Sequence, residues 1–563
     1  MVLQRTTPRT RFTGVDMLAA GCYLLAAVLL YSPLWMDLRH GYLLNSMQDQ
    51  NMFEWFFAVA AKSTDLFSTL ENHPFGVNMM ANTSMLGLGI PLAPVTWLFG
   101  PTVTWAVVLT GGIAGSAAGW YWVISRYITR PGVGAAIGGA FCAFAPPMVS
   151  HANAHPNFTA LFVLPFIVLQ LIKLVNGGNP VRHGIWLGLL LAYQVFLGEE
   201  PLLIAATALV IYACARRSVL AKSLFSGLGV AALVALALVV YPLWTQFFGP
   251  QSYSGMTHGE AGNDVAAITG FASVSIAGDP ALAQRFAANP TEENGFFGWP
   301  LVILVAVLAI WLWRVASARA LVITAAAMAI LSLGGELVVN GEKTGITLPW
   351  HFVSQFPLYD SLLCSRFAMA CVPVIGILLA MACERIETLS RNATHTPLRL
   401  IWFGALVAIL LPIAPTPLSV AERPETPAFF TDGIWRQYVP PDRSVVMVPI
   451  ASSDHSLPMH WQTDADLGFP IAEGYFVGPG ENGKGHYGAV QRPTSRLLEQ
   501  VGRTGSVPAI GPDERDQARR DLEFWHAGAV VLGPDPRLSE LRAACEALFG
   551  PGVYVGGVWV WFT

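Results

Sequence analysis

The sequence predicts a polytopic α-helical membrane protein, with about eleven transmembrane helices in residues 1–415 and an extracytoplasmic α/β domain in 416–563. Three observations predict it. Only 12% of the 563 residues are charged and 54% are hydrophobic, whereas an ordinary soluble domain carries about 25% charged residues. Apolar windows close to the roughly 20 residues that cross a bilayer recur through the first 415 positions. Lys and Arg fall in alternate connecting segments, which sets an orientation by the positive-inside rule. The 53 glycines and 39 prolines suit membrane helices that pack closely and break locally. A net charge of −4, with no basic aromatic-rich stretch, gives no footing for a nucleic-acid partner.

The elements follow in order. Arg5, Arg9 and Arg11 precede an apolar run without a small-residue cleavage site, which reads as an uncleaved first span, 15–35, with a cytoplasmic N-terminus. A long external loop, 36–102, comes next. Within it, 50–70 has helical apolar spacing (Phe53, Phe56, Phe57, Val59, Ala60) suited to a helix lying on the membrane surface, and 72–78 is turn-rich. Segment 86–99 is short and interrupted by Pro91 and Pro94. Placing Arg126 and Arg130 inside requires that it be re-entrant or interfacial. Spans then fall at 103–127, 133–149, 158–175, 184–197, 202–215, 224–248, 299–313, 320–339, 367–383 and 400–414. Arg182, Arg216, Arg217, Lys222, Arg314, Arg319, Arg385, Arg391 and Arg399 mark the cytoplasmic side. Asp49, Glu199, Glu200, Asp264, Glu292, Glu293 and Asp360 collect on the other.

Beyond about Thr416 the pattern changes. Residues 443–449 and 527–533 read as buried strands, 513–524 as a helix, and 553–561 as a hairpin around Gly556-Gly557. No GxSxG, Walker loop or GxGxxG falls between strand and helix there. Of seven cysteines, Cys22, Cys142, Cys214, Cys371 and Cys383 lie in or beside apolar runs, and Cys364 and Cys545 are expected to be exposed. Their spacing signals neither a disulfide framework nor a zinc site.

The candidate chemistry gathers on the predicted outer face. Asp49 lies among amides and aromatics, in Asn45-Ser-Met-Gln48-Asp49-Gln-Asn-Met-Phe-Glu54-Trp55. An ionisable group at membrane depth marks a site or a solvated loop, and an Asp there also serves as a helix cap. Glu199 and Glu200, directly before Pro201, could bind a divalent cation or hydroxyl groups, or simply sit at the water interface. Arg366 at the end of a span has the fork that grips phosphate in two places; the alternative is an ion pair to Asp360 or contact with lipid headgroups. Lys343 and His351 are further phosphate candidates. His151 and His155, four apart, share a face if helical, though Pro156 argues for a loop. His73, Gln48 and Glu54 complete the polar lining. Trp350 and Trp299 could stack on a sugar, and Trp is also ordinary at membrane interfaces.

A cytoplasmic N-terminus, one span, then an external loop with an early acid and membrane-surface helices resembles the GT-C superfamily of lipid-phosphate-sugar-dependent glycosyltransferases. The run Ser46 to Trp55 and the later His73-Pro74-Phe75-Gly76-Val77-Asn78-Met79 look like the opening of bacterial members of the arabinofuranosyltransferase and mannosyltransferase type. Met47-Gln48 stands where the usual pattern has a glycine, and one early acid replaces an adjacent acidic pair. The resemblance implies an inverting transferase in a bacterial plasma membrane, with Asp49 as general base. It implies a polyprenyl-phosphate sugar donor and a cell-envelope glycan or glycolipid acceptor. No cofactor is required, and a divalent cation is compatible. The rival classes are a transporter or flippase, which would show internal repeats and acids at the bilayer midplane, and a non-catalytic envelope scaffold.

Overall fold

The computed structural model describes residues 12–216, 222–256, 262–392 and 397–563. Arg5, Arg9, Arg11 and Arg217 lie outside the described residues. Each of the eleven apolar segments holds a helix: Gly14–Leu30, Pro101–Val123, Val133–Phe144, Leu164–Val175, Pro180–Val195, Glu199–Arg216, Lys222–Phe248, Trp299–Leu312, Ala316–Ser332, Cys371–Asn392 and Leu398–Leu410. Among the described residues, four helical runs are long and apolar enough to cross a membrane: Pro101–Ile128, Pro156–Val175, Lys222–Phe248 and Cys364–Arg391.

Small residues let these helices approach. A Cβ on Gly184 would lie 2.6 Å from the Gly227 carbonyl oxygen, and one on Gly188 would lie 2.7 Å from that of Ala231. Gly134 and Gly138 repeat the device against Cys383 and Gly376. Glycines four apart line one helix face and admit a neighbouring backbone. The Lys222–Phe248 helix turns Leu233, Leu236, Leu238 and Val240 outward and ends in exposed Tyr241, Trp244 and Phe248, an aromatic girdle of the kind found at a membrane–water boundary. Arg126, read as a marker of the cytoplasmic side, is buried and donates to Asp16 at 3.0 and 2.6 Å.

Four expectations are corrected. The helix expected at 50–70 runs Met47–Lys62 and is enclosed, because Phe53, Trp55, Phe56, Phe57, Ala58, Val59 and Ala60 are all buried. An apolar run that circles the helix buries every face. The span expected at 320–339 stops at Ser332, and Glu336–Val339 pairs with Glu342–Thr347 as a hairpin. Gly334, at φ 86°, ends the helix, and Asn340-Gly341, both at positive φ, make the tight turn such hairpins favour. Cys364 and Cys545 are buried, whereas Cys22 and Cys214 are exposed. Trp350 is buried against Tyr359 and Phe367, which leaves no face for a sugar. Segment 86–99 forms two short helices, Leu86–Gly89 and Ala93–Phe99. Seven residues rise only about 10 Å, a third of the hydrocarbon thickness.

The last third contains a four-stranded sheet in the order Val553–Val555, Val558–Phe562, Ala527–Leu532, Ser444–Val448. The first two pairings are antiparallel and the last is parallel. Helices Pro493–Thr504, Pro512–Phe524 and Leu538–Phe549 cover it, sharing a core that includes Val446, Leu498, Trp525, Val530, Leu541 and Trp561. The elements read from sequence at 443–449, 513–524, 527–533 and 553–561 are all present, shifted by a residue or two.

This region grips the first loop. Gly41–Leu43 pairs antiparallel with Val420–Glu422, and the Leu457–Asp464 helix packs along Met47–Lys62. Asn51 donates to Ser456 at 3.0 Å and Trp55 to Gln462 at 2.7 Å. Arg423 donates to both oxygens of Glu54, at 2.7 and 3.0 Å. Burial alone would raise the Glu54 carboxyl; the charge of Arg423, with His460, outweighs it and holds the group at about 2.

Candidate functional site

Asp49 is the third residue of the Met47–Lys62 helix, where a carboxylate meets the positive end of the helix dipole. It is one-fifth exposed. Tyr475, from the last third of the chain, donates its hydroxyl to Asp49 Oδ1 at 2.6 Å. Opposite, His155 Nε2 stands 3.5 Å from Asp49 Oδ2.

His151 ends the Pro146–His151 helix, and Pro156 begins the next turn. The break does not part the two rings: His155 N–H still bonds to His151 C=O at 2.8 Å, and the two Nδ1 atoms are 2.8 Å apart. Burial lowers His151 to about 3, so its ring is neutral. Its Nε2 faces Asn294 Oδ1 at 2.8 Å, an acceptor, because the Asn294 amide nitrogen donates to Glu292 at 2.7 Å. His151 therefore carries its proton on Nε2, and its Nδ1 accepts from His155 Nδ1–H. That leaves His155 Nε2 as the ring atom facing Asp49.

Glu292 lies at the back of the site, 3% exposed. Burial pushes its carboxyl up, but the charge of Arg366 holds it well below the usual carboxylate range. Arg366, in the turn Cys364–Ala370, directs Nε to Glu292 at 3.1 Å, Nη2 to the same carboxylate and Nη1 to Glu200. Its guanidinium rests over the Phe158 ring at 4.9 Å. Ser150 accepts from Glu293 N–H at 2.9 Å and donates to the Pro290 carbonyl at 3.0 Å, which pins this loop beside His151. Glu199 receives a bond from Gln246 at 2.7 Å.

The structure thus joins Asp49, His151, His155, Glu200 and Arg366 in one cluster, with Glu199 at its edge. It adds Glu292, Asn294 and Tyr475. The remaining candidates lie elsewhere. Glu54 belongs to the Arg423 pair. Gln48 is exposed and reaches the Asp454 carbonyl at 3.5 Å. His73 packs against His526, ring centres 5.6 Å apart. Asp360 is exposed and bonded by Ser361 rather than Arg366. Lys343 lies on the exposed hairpin, 3.8 Å from Glu336, and His351 is exposed beside Phe352. Glu292 escaped notice because its loop has no periodicity and its partner Arg366 is 74 residues away; its only signal was its place among the outer-face acids.

No protein-family model matches the chain, and no curated protein matches it in sequence. Solved structures match over nearly its whole length. The arabinofuranosyltransferase AftD from Mycobacteria superposes with a TM-score of 0.55 at 13% identity, covering 99% of this chain and 40% of that one. The oligosaccharyltransferase AglB from Archaeoglobus fulgidus, in complex with an inhibitory peptide and a dolichol-phosphate, gives 0.51 at 11% identity, covering 97% and 74%. The Archaeoglobus fulgidus oligosaccharyltransferase in complex with Zn and sulfate gives 0.50 at 11%, covering 92% and 68%. The fold is that of the GT-C-type glycosyltransferases.

Proposed function

We propose that this chain is an inverting glycosyltransferase of the bacterial plasma membrane, multi-pass with about eleven spans and a cytoplasmic N-terminus. It moves a sugar from a polyprenyl-phosphate donor to a cell-envelope glycan or glycolipid on the extracytoplasmic face, where residues 416–563 form the outer domain. The observation that carries this reading is Asp49: a partly exposed carboxylate on a GT-C fold, oriented by Tyr475 and backed by a histidine whose free nitrogen faces it. The dolichol-phosphate bound by the archaeal neighbour agrees with a lipid-linked donor.

Asp49 accepts the proton of the acceptor hydroxyl as its oxygen attacks the anomeric carbon, and His155 Nε2 is placed to take that proton onward. The bond to phosphate breaks with its electron pair on the phosphate oxygen, so the leaving polyprenyl phosphate needs no acid. Arg366 meets the phosphate from its Glu200 side. Glu292 is buried and takes two of its nitrogens, whereas Glu200 is one-fifth exposed and holds one, so phosphate displaces Glu200. His151, His155 and Glu292 offer ligand atoms within 4.8 Å of one another, but hydrogen bonds already engage His151 and Glu292. A divalent cation at that group would have to displace those bonds.

The test is transfer by purified protein from polyprenyl-phosphate pentose and mannose to glycan acceptors. Transfer by the wild type that Asp49→Asn loses supports the reading. Equal turnover by the two proteins removes Asp49 from the mechanism.

A further inference from the structure

A cavity of about 740 Å³ opens between residues 451–454 and the hairpin of Val477–Pro479 with Gly485–Tyr487. Tyr487 lines it and ties it to the site: its hydroxyl feels the charges of Arg366, Glu200, Asp49 and Glu292. Its ring centre is 6.4 Å from that of Tyr475, the donor to Asp49. The hairpin is wedged against the 249–256 loop, with Ser254 N–H on the Gly483 carbonyl at 3.0 Å. Gly485 permits this, since a Cβ there would meet the Tyr253 ring at 2.9 Å.

Volume and lining define the occupant. The volume falls among small-molecule sites, which run roughly 300–1,000 Å³, and exceeds what one sugar ring fills. Those sites are mostly apolar, whereas Asp454, Glu481 and Glu499 face this cavity with Lys484 and Arg496. Carboxylates accept from hydroxyl groups, and their excess over cations repels an anion. Tyr487, in the lining beside Tyr475, has an apolar face and a polar tip to present.

We propose that this cavity holds a neutral oligosaccharide of several units, the part of the acceptor behind the reacting sugar, and grips it without the donor. The proposal rests on the glycosyltransferase reading and adds the charge and length of acceptor that the chain selects.

The experiment uses the full chain in lipid nanodiscs without donor. Calorimetry would compare arabinan- and mannan-derived oligosaccharides of one, three and six residues, together with a phosphorylated hexasaccharide. The expected result is affinity rising at least tenfold from one to six residues in one series, and at least fivefold weaker binding of the phosphorylated ligand. Asp454→Asn with Glu481→Gln, both exposed positions, weakens hexasaccharide binding at least fivefold at unchanged melting temperature. Affinity independent of length, equal binding of the phosphorylated ligand, indifference to the double variant, or no binding in either series overturns the proposal. Transfer separates the two readings: its absence with acceptors of every length in wild type tells against the enzyme, whereas its survival in the double variant with lost chain-length preference supports the cavity.

Discussion

One helix carries two charged clusters five residues apart, and they differ in completeness. Glu54 is fully buried, and Arg423 occupies both its oxygens, with His460 alongside. Asp49, about 7.5 Å along the axis at 1.5 Å per residue, keeps a fifth of its side chain open and faces a histidine nitrogen rather than a guanidinium. The first arrangement spends its charge on docking two parts of the chain, and the second leaves charge available for a substrate. Exposure and unsaturated hydrogen bonding, more than the presence of a carboxylate, mark the difference between a clamp and a site.

The comparison breaks most readily at Asp49. Asp49→Asn is expected to lower turnover by roughly 10²–10⁴-fold, the usual contribution of a general base, with stability within about 0.5 kcal/mol of wild type. Arg423→Met should do the reverse. Removing one partner of a buried pair destabilises by roughly 3–5 kcal/mol, read as a fall in melting temperature, while activity of the folded fraction is retained. Adding Glu54→Leu should restore much of that loss, because a well-packed apolar pair replaces a buried ionic one at little net penalty. A double variant as unstable as the single one would mean the pair does more than neutralise itself.

Two smaller effects sharpen the contrast. Glu473, buried at the cavity wall beneath the Ser495 hydroxyl, is raised to about 7 by burial. Its folded value lies above its unfolded one, so its contribution is complete below about 4.5 and is lost as pH rises through 7. The loss is up to roughly 3 kcal/mol. Glu54, held at about 2, has the opposite sign: its stabilisation is present above 4.5 and disappears as pH falls toward 2. Melting curves from pH 4 to 8 should therefore decline on the alkaline side for wild type and flatten for Glu473→Gln. The smallest effect belongs to Tyr475→Phe. Loss of one hydrogen bond to a charged group, worth about 1.5 kcal/mol, should reduce turnover about tenfold with little change in melting temperature; no change in turnover would leave Asp49 oriented by other groups.

Much of this was legible in the residues. Asp49 announced itself as an acid just past an apolar span, and His151 and His155 by a four-residue interval that survives the end of their helix. The misreadings have physical causes as well. Residues 50–70 carry enough apolar side chains for a lipid-facing stripe, but those side chains circle the helix, and protein encloses it. Residues 333–339 continue an apolar run, yet Gly334-Gly335 and Asn340-Gly341 turn it into a hairpin.

The sequence alone determined the helical membrane-type class, because hydropathy and helical spacing act over a few turns and need no partner. It also determined the strands at 443–449, 527–533 and 553–561 and the helix at 513–524 for the same local reason. Only the tertiary structure decided which charges form the site. Asp49 meets Tyr475 across 426 positions and Glu292 meets Arg366 across 74, and contacts at such separations depend on how whole helices pack, which no local pattern records.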